Sequence, residues 1–498
     1  MSLNTYPYAK RGGGGAAFLI AAACFLAAIV GVGISVLPWQ FVAVGTIVLV
    51  LAPLVLIYPE LGVLTILALI YEVIPGRLVP DLPLGAGKLK IYDAIFIATA
   101  FVVVIRTWWQ KRSVLQPIKV VIWPLLYTYT CIVVALVYGR LVLGNKLAIS
   151  EARGAICWLM LPLLLLLIDT PKKFRIFVNI LLAIAVIVSI YGALQSFMDI
   201  RILSHRVEDI SGGMIQEGGV TRSLLGAASF LAMFAIYYCI MAANSRRMSW
   251  TIATFVVVVS ALGLAVSFTR ALWISAFVGG LLAFYLYRGV VATIFATIGV
   301  VVAVGGALVV VSAVKPVLAQ SVIERAAGIG DEIRTGGSFN WRRLENEAAW
   351  KVIEQHPFIG VGLGGEYKKV KTFIGDWQGE YNFIHNGYMF YPLKMGLHAF
   401  IIPFIFMALF IAALIRAVAT AQSADRIVPA AAAGVFLALS LATYTEPHWV
   451  RGEGLVTISA MLALVMLTPR LGMGATAIAP DAIPVPVRLR QSYAFRPK

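Results

Sequence analysis

Four arginines and one histidine stand where their chemistry could be used at a polar boundary. Arg270 lies in Ser267-Phe-Thr-Arg-Ala-Leu-Trp273, a short turn between two apolar runs. An arginine at the centre of a membrane helix costs about 2.5–3.5 kcal/mol on insertion scales, so a turn that keeps it at the interface is favoured. There it is either an anchor that snorkels into the headgroups, or a guanidinium that grips a phosphate through planar, bidentate donors. Arg342 and Arg343 open a helix-like stretch from 341 to 355, where positive charge opposes the helix dipole. Glu347, four residues on, accounts for Arg343 as a solvated pair, whereas Arg342 faces Asn346. Arg222 starts an apolar run just before Gly226 and falls on the same side as Arg270. His385, in Phe383-Ile-His-Asn-Gly-Tyr388, joins a long polar segment to the next apolar run. An imidazole at an aqueous membrane face suits proton transfer, although a lone interfacial histidine also serves as a structural donor.

Other constellations carry little. The glycines at 360, 362, 364 and 365 fit G-x-G-x-x-G, but no strand precedes them, and a turn or hairpin after Pro357 is the reading. Gly85-Ala-Gly-Lys88 lacks the first glycine of a phosphate-binding loop. No CxxC, HExxH or DxD occurs, so neither a metal site nor a cofactor is expected. Cys24, Cys131, Cys157 and Cys239 lie in apolar runs and read as small buried hydrophobes. Loop residues Arg201, Arg206, Asp209 and Glu217, and the segment from Glu446 to Arg451, read as solvated or interfacial.

The elements that must position these groups are membrane helices. Hydrophobic residues make up 61% of the chain and charged residues 13%, with mean hydropathy +0.91. A soluble domain is about 45–50% apolar and about 25% charged. A water-soluble surface cannot be built from so few charges, which excludes a cytosolic enzyme, a disordered chain and a nucleic-acid-binding module despite the net charge of +17. The expected fold is all-α, a polytopic integral membrane protein. With roughly 20 apolar residues per crossing, spans fall near 16–36, 41–57, 61–75, 91–105, 120–138, 155–168, 177–197, 223–241, 250–268, 271–287, 290–312, 396–415, 429–444 and 454–468. The third, fourth and sixth are short, giving 12–14 transmembrane helices. The first resembles a signal peptide behind Lys10 and Arg11 but is read as a retained helix.

With the N-terminus inside, nineteen of the 40 basic residues and four of the 23 acids fall on the cytoplasmic face, as the positive-inside rule requires. Nearly all remaining acids and half the basic residues gather outside, where chemistry is therefore expected. Residues 1–312 form the N-terminal transmembrane helices, about eleven spans, and 313–388 one large periplasmic loop. Residues 389–468 form about three C-terminal spans, and 469–498, with five prolines, a disordered cytoplasmic tail. In the loop, Leu344, Ala348 and Val352, with Ala349 and Ile353 alongside, predict an amphipathic helix that roofs a cavity at the membrane face.

The stretch from Arg342 to Gly364 resembles the signature of the bacterial O-antigen ligase and O-antigen polymerase superfamily: an arginine, then Ala348-Ala349, Pro357 and Gly-x-Gly. Asn346 stands where that family often has tryptophan. The family's His-Asn motif with a following Gly-Leu pair matches His385-Asn386 and Gly396-Leu397. Its arginine at the start of a span, before an aromatic, matches Arg270 and Trp273. The resemblance covers roughly 220–415. It implies a GT-C type membrane glycosyltransferase of the bacterial inner membrane, active at the periplasmic face without metal or nucleotide sugar. The donor would be an undecaprenyl-diphosphate-linked glycan, the acceptor a lipid or a second carrier-linked glycan, and the surroundings membrane lipids and polysaccharide assembly machinery. Arg270, Arg342 and His385 would be catalytic, and Arg222, Arg343, Asn386 and Tyr388 substrate-binding. A polysaccharide polymerase is favoured over a ligase acting on lipid A-core. A transporter or flippase is the second class, disfavoured because no charged residue lies deep within a span, and a non-catalytic scaffold is the third.

Overall fold

The computed structural model describes residues 53–79, 82–84, 87–110, 113–198, 202–203, 216–217, 220–221, 223, 225–314, 316–317, 319–320, 322–324, 327, 337–367, 373–374, 377–378, 382–420 and 423–471. Arg222, Arg201, Arg206, Asp209, the expected span 16–36, most of span 41–57 and the tail beyond 471 lie outside the described residues.

Every expected span from residue 61 onward overlaps a helix. In chain order the helices are α1 (Pro59–Ile70), α2 (Ile91–Trp109), α3 (Leu115–Val137), α4 (Ala148–Arg153), α5 (Met160–Leu167), α6 (Pro171–Met198), α7 (Ala228–Asn244), α8 (Trp250–Ala265) and α9 (Arg270–Val314). They continue as α10 (Gly337–Gln355), α11 (Gly387–Met395), α12 (Ile401–Thr420), α13 (Ile427–Ala442) and α14 (Gly452–Arg470). The only β structure among the described residues is three antiparallel hairpins with strands of two or three residues. Among the described residues, seven helical stretches are long and apolar enough to cross a membrane, including Pro171–Met198, Leu397–Thr420 and Gly452–Arg470. The protein is a polytopic, all-helical membrane protein.

Three expected spans take a different form. The helix within 61–75 ends at Ile70. At 1.5 Å per residue its 12 residues reach about 18 Å, short of the hydrocarbon thickness. The chain then turns at Glu72, a non-glycine residue with φ 55°. Spans 271–287 and 290–312 run on as α9 through a break at Gly289, where φ is 77°.

Large apolar side chains face outward: Phe101, Trp108, Trp123 and Phe295 are each 65–74% exposed, a surface that lipid tolerates and water does not. Inside, helices approach through small residues. Ala430 to Gly434 and Ala438 of α13 are all buried. A Cβ on Gly279 of α9 would run into the Gly434 carbonyl, so the two backbones touch there. Lipid tails are as apolar as leucine, so such close packing is what holds membrane helices together.

One end of the bundle gathers the basic residues assigned to the cytoplasm. Lys173 Nζ meets Glu60 at 3.1 Å and Asp169 at 3.0 Å, and Arg247 meets Asp425 at 3.0 Å. Arg106 donates to the Ile57 carbonyl and Arg470 to that of Leu165. From this end α8 leads to the turn at Arg270 and α13 leads to Thr443, so both reach the opposite end. Gly279 and Gly434 lie nine residues from Arg270 and Thr443 respectively, and helices of equal rise therefore bring Arg270 and Thr443 to the same level.

Candidate active site

Thr443 marks the level of the histidine. Its carbonyl accepts from the Gly387 N–H at the start of α11, two residues after His385. Arg270 and His385 thus share the end of the bundle remote from the basic cluster.

The loop helix α10 forms as expected, but its buried stripe is displaced by one residue. Leu344 is exposed, and Ala348 and Val352 are half-buried. The buried positions are Glu345, Ala349 and Ile353, with Ala349 and Ile353 in the main core. A carboxylate heads the stripe because it has partners. Glu345 Oε2 accepts from the His385 backbone N–H and meets His385 Nδ1, each at 3.0 Å. The side chains are 1% and 19% exposed. A carboxylate oxygen that accepts a backbone N–H acts as an acceptor, so Nδ1 is the ring nitrogen that donates to it. Arg342 precedes Glu345 by three residues, which places the two on one helix face a turn apart.

Phe383 stands edge-on to the imidazole, ring centroids 4.8 Å apart, and its other side receives the Arg451 guanidinium 5.3 Å from the ring centre. The Tyr367 hydroxyl donates to the Phe383 carbonyl at 2.9 Å. Burial, and then the nearby charge of Glu345, push the Tyr367 hydroxyl well above its ordinary pKa, so it stays protonated.

Arg270 is presented by a strained turn. Phe268, fully buried against Phe197 and Val322, adopts φ 48°, a left-handed conformation that costs an L-residue about 1–2 kcal/mol. Ser267 Oγ and Trp273 Nε1 both donate to the Leu264 carbonyl, at 2.7 and 2.9 Å, closing the end of α8 against the start of α9. The turn is thereby fixed from both sides, and Arg270 opens α9.

The glycines at 360–365 are a staple. Gly360, Gly362 and Gly364 all have φ near +70°, and a Cβ on Gly362 would sit 2.6 Å from Gly139 Cα. Backbone bonds from Val361 to Leu393 and from Leu363 to Ala135 stitch this segment into the bundle, and Asn145 Nδ2 donates to the Leu363 carbonyl. Beside it lies a buried charge pair. Lys394 Nζ, fully buried, meets Glu151 at 3.2 Å and donates to the Gly365 carbonyl at 2.6 Å. Glu151 also accepts from Gly364 N–H at 2.6 Å and from Asn382 Nδ2 at 2.9 Å.

Among the candidates, His385 meets Glu345, which lies one helical turn from Arg342 on α10, and Arg270 lies at the same end. Arg343 lies on the exposed face of α10, 3.7 Å from Glu347. Asn386 Oδ1 accepts from the Tyr388 N–H and caps α11, while the Tyr388 hydroxyl donates to the Ser440 carbonyl at 2.7 Å. Sequence reasoning missed Glu345, Tyr367, Arg451 and the Glu151–Lys394 pair. A signal existed for one of them: Glu345 is the only charge in register with Ala349 and Ile353 at four-residue spacing. The arrangement offers an oriented imidazole, with arginines on the neighbouring elements, at the end of an apolar bundle.

No curated protein matches the chain. Residues 255–406 match the family model described as O-Antigen ligase, a segment that holds Arg270, Arg342, Glu345 and His385. That match, over residues 255–406, supports the resemblance to the O-antigen ligase and polymerase superfamily.

Proposed function

We propose that the protein is a GT-C type glycosyltransferase of the bacterial inner membrane that works at the periplasmic face. It takes a glycan from an undecaprenyl-diphosphate carrier and joins it to an acceptor hydroxyl on a second carrier-linked glycan, lengthening a surface polysaccharide or exopolysaccharide. The observation that supports this most is the contact between His385 and Glu345, one helical turn from Arg342, inside the matched segment.

In the reaction the acceptor oxygen bonds to the anomeric carbon as the bond from that carbon to the phosphate oxygen breaks. The electron pair leaves with the diphosphate, and the hydroxyl proton passes to His385 Nε2. Direct displacement inverts the anomeric centre. Diphosphate needs its developing charge stabilised more than it needs a proton, and Arg270 and Arg342 supply that stabilisation as preorganised cations. Arg222, Arg343, Asn386 and Tyr388 would hold donor or acceptor.

The test is glycan transfer by purified protein in lipid, with a synthetic undecaprenyl-diphosphate glycan donor and EDTA present. Transfer should survive chelation and fall about 100–1,000-fold in Arg270→Ala and Arg342→Ala. His385→Ala should lose about 100–10,000-fold. Full activity in all three well-folded variants would overturn the reading. The second reading is a ligase, the activity named in the matched family's description, with lipid A-core as the acceptor. Products that gain repeat units on the carrier indicate a polymerase, and a single transfer to lipid A-core indicates a ligase. Movement of unaltered substrate across a liposome would instead identify a transporter.

A further inference from the structure

We propose that Glu345 is the positioning residue for His385, fixing the tautomer and plane of its imidazole so that Nε2 meets the acceptor hydroxyl; the inference rests on the base role given to His385 above. The argument begins with a misfit. Position 345 heads a buried stripe whose next members are Ala349 and Ile353, and a carboxylate there is costly to desolvate. A tether to the His385 backbone alone could be made by a neutral acceptor. The carboxylate does more: a single oxygen engages both the backbone N–H and the ring Nδ1, two contacts that fix the ring relative to its own main chain. The edge-on Phe383 ring limits rotation from the other side. Tyr367 ties the Phe383 carbonyl in place, so the segment that carries both rings is held as well.

In another pair with a buried member, Lys394 and Glu151, it is the carboxylate that stays partly open, at 16%, and the cation that is shut in. In the Glu345 pair the imidazole keeps 19% of its side-chain surface open while the carboxylate is shut in at 1%. A carboxylate at 1% exposure, which also engages the Tyr367 hydroxyl, reaches an acceptor through the partly open imidazole and not directly. On protonation of Nε2, the adjacent negative charge stabilises the imidazolium, the role an orienting carboxylate has behind a histidine base.

The experiment uses full-length protein in lipid with the same carrier-linked donor, comparing Glu345→Gln, Glu345→Ala, His385→Ala and the double variant His385→Ala/Glu345→Gln. Glu345→Gln keeps an acceptor oxygen and removes the charge. It should lower kcat about 10–100-fold, part of the general-base contribution, with the donor KM within about twofold and the melting temperature unchanged. Glu345→Ala should lose more. In the His385→Ala background, Glu345→Gln should cost nothing further, because groups that act as a unit are not additive. An equal loss in both backgrounds, or an undiminished kcat in Glu345→Gln, overturns the inference while leaving the base role intact. If His385→Ala itself keeps full activity, the base role fails instead.

Discussion

Glu151 and Lys394 are unequal partners, and replacing each in turn separates what burial costs from what pairing gives. The ammonium is fully buried, with two oxygens for company, whereas the carboxylate is 16% exposed and has two other N–H donors. In Glu151→Gln the ammonium loses its counter-charge in a dry site, and breaking a buried pair in this way costs about 3–5 kcal/mol. In Lys394→Met the carboxylate keeps Gly364 N–H and Asn382 Nδ2 and some water, so the loss should be about 1–3 kcal/mol. The double variant carries no buried charge and should be no worse than Lys394→Met, a departure from additivity of more than about 1 kcal/mol. Unfolding by SDS titration in mixed micelles measures all three. Should Lys394→Met prove the more damaging single change, or the two losses simply add, the charge would not be what the cluster stabilises.

Three further outcomes are expected. Gly144→Ala and Gly362→Ala impose the same positive φ, about +70°, but nothing lies within 4 Å of the former and Gly139 blocks the latter; melting temperatures should fall far more for Gly362→Ala, by the difference between about 1–2 kcal/mol of backbone strain and strain plus a clash. Gly279→Leu should separate α9 from α13 and abolish a folded, monodisperse peak in detergent size exclusion, while Gly299→Leu, with open space around it, should not. Arg343→Ala should change stability by less than about 0.5 kcal/mol because its pair with Glu347 is solvated, so a rise in donor KM in that variant would report substrate binding and nothing else.

Helices were legible because hydrophobic runs of sufficient length leave the chain no other structure in lipid. That Arg270 and His385 share one end of the bundle was legible for the same reason, since helices that alternate in direction carry it. The glycine run at 360–365 was read as a turn, and turns it contains. Its purpose depends on Ala135, Gly139 and Ala148, more than 200 positions earlier, and no local pattern reports such an approach. Glu345 was passed over because a stripe drawn from apolar residues places a carboxylate on the wet side, and only its pairing with His385 reverses that. Lys394 was invisible for a like reason: a lysine beside a span reads as an interfacial anchor until its acid is seen across 243 residues.

The helix that carries Arg342 is fastened twice, through Glu345 near its beginning and through the glycine segment just past its end. A rod pinned at both places cannot lift away without releasing the imidazole. On the proposed function, any lifting of the helix would part Glu345 from His385 and leave the imidazole without its orienting partner. Hydrogen exchange along residues 345–353 should accordingly rise in Glu345→Ala.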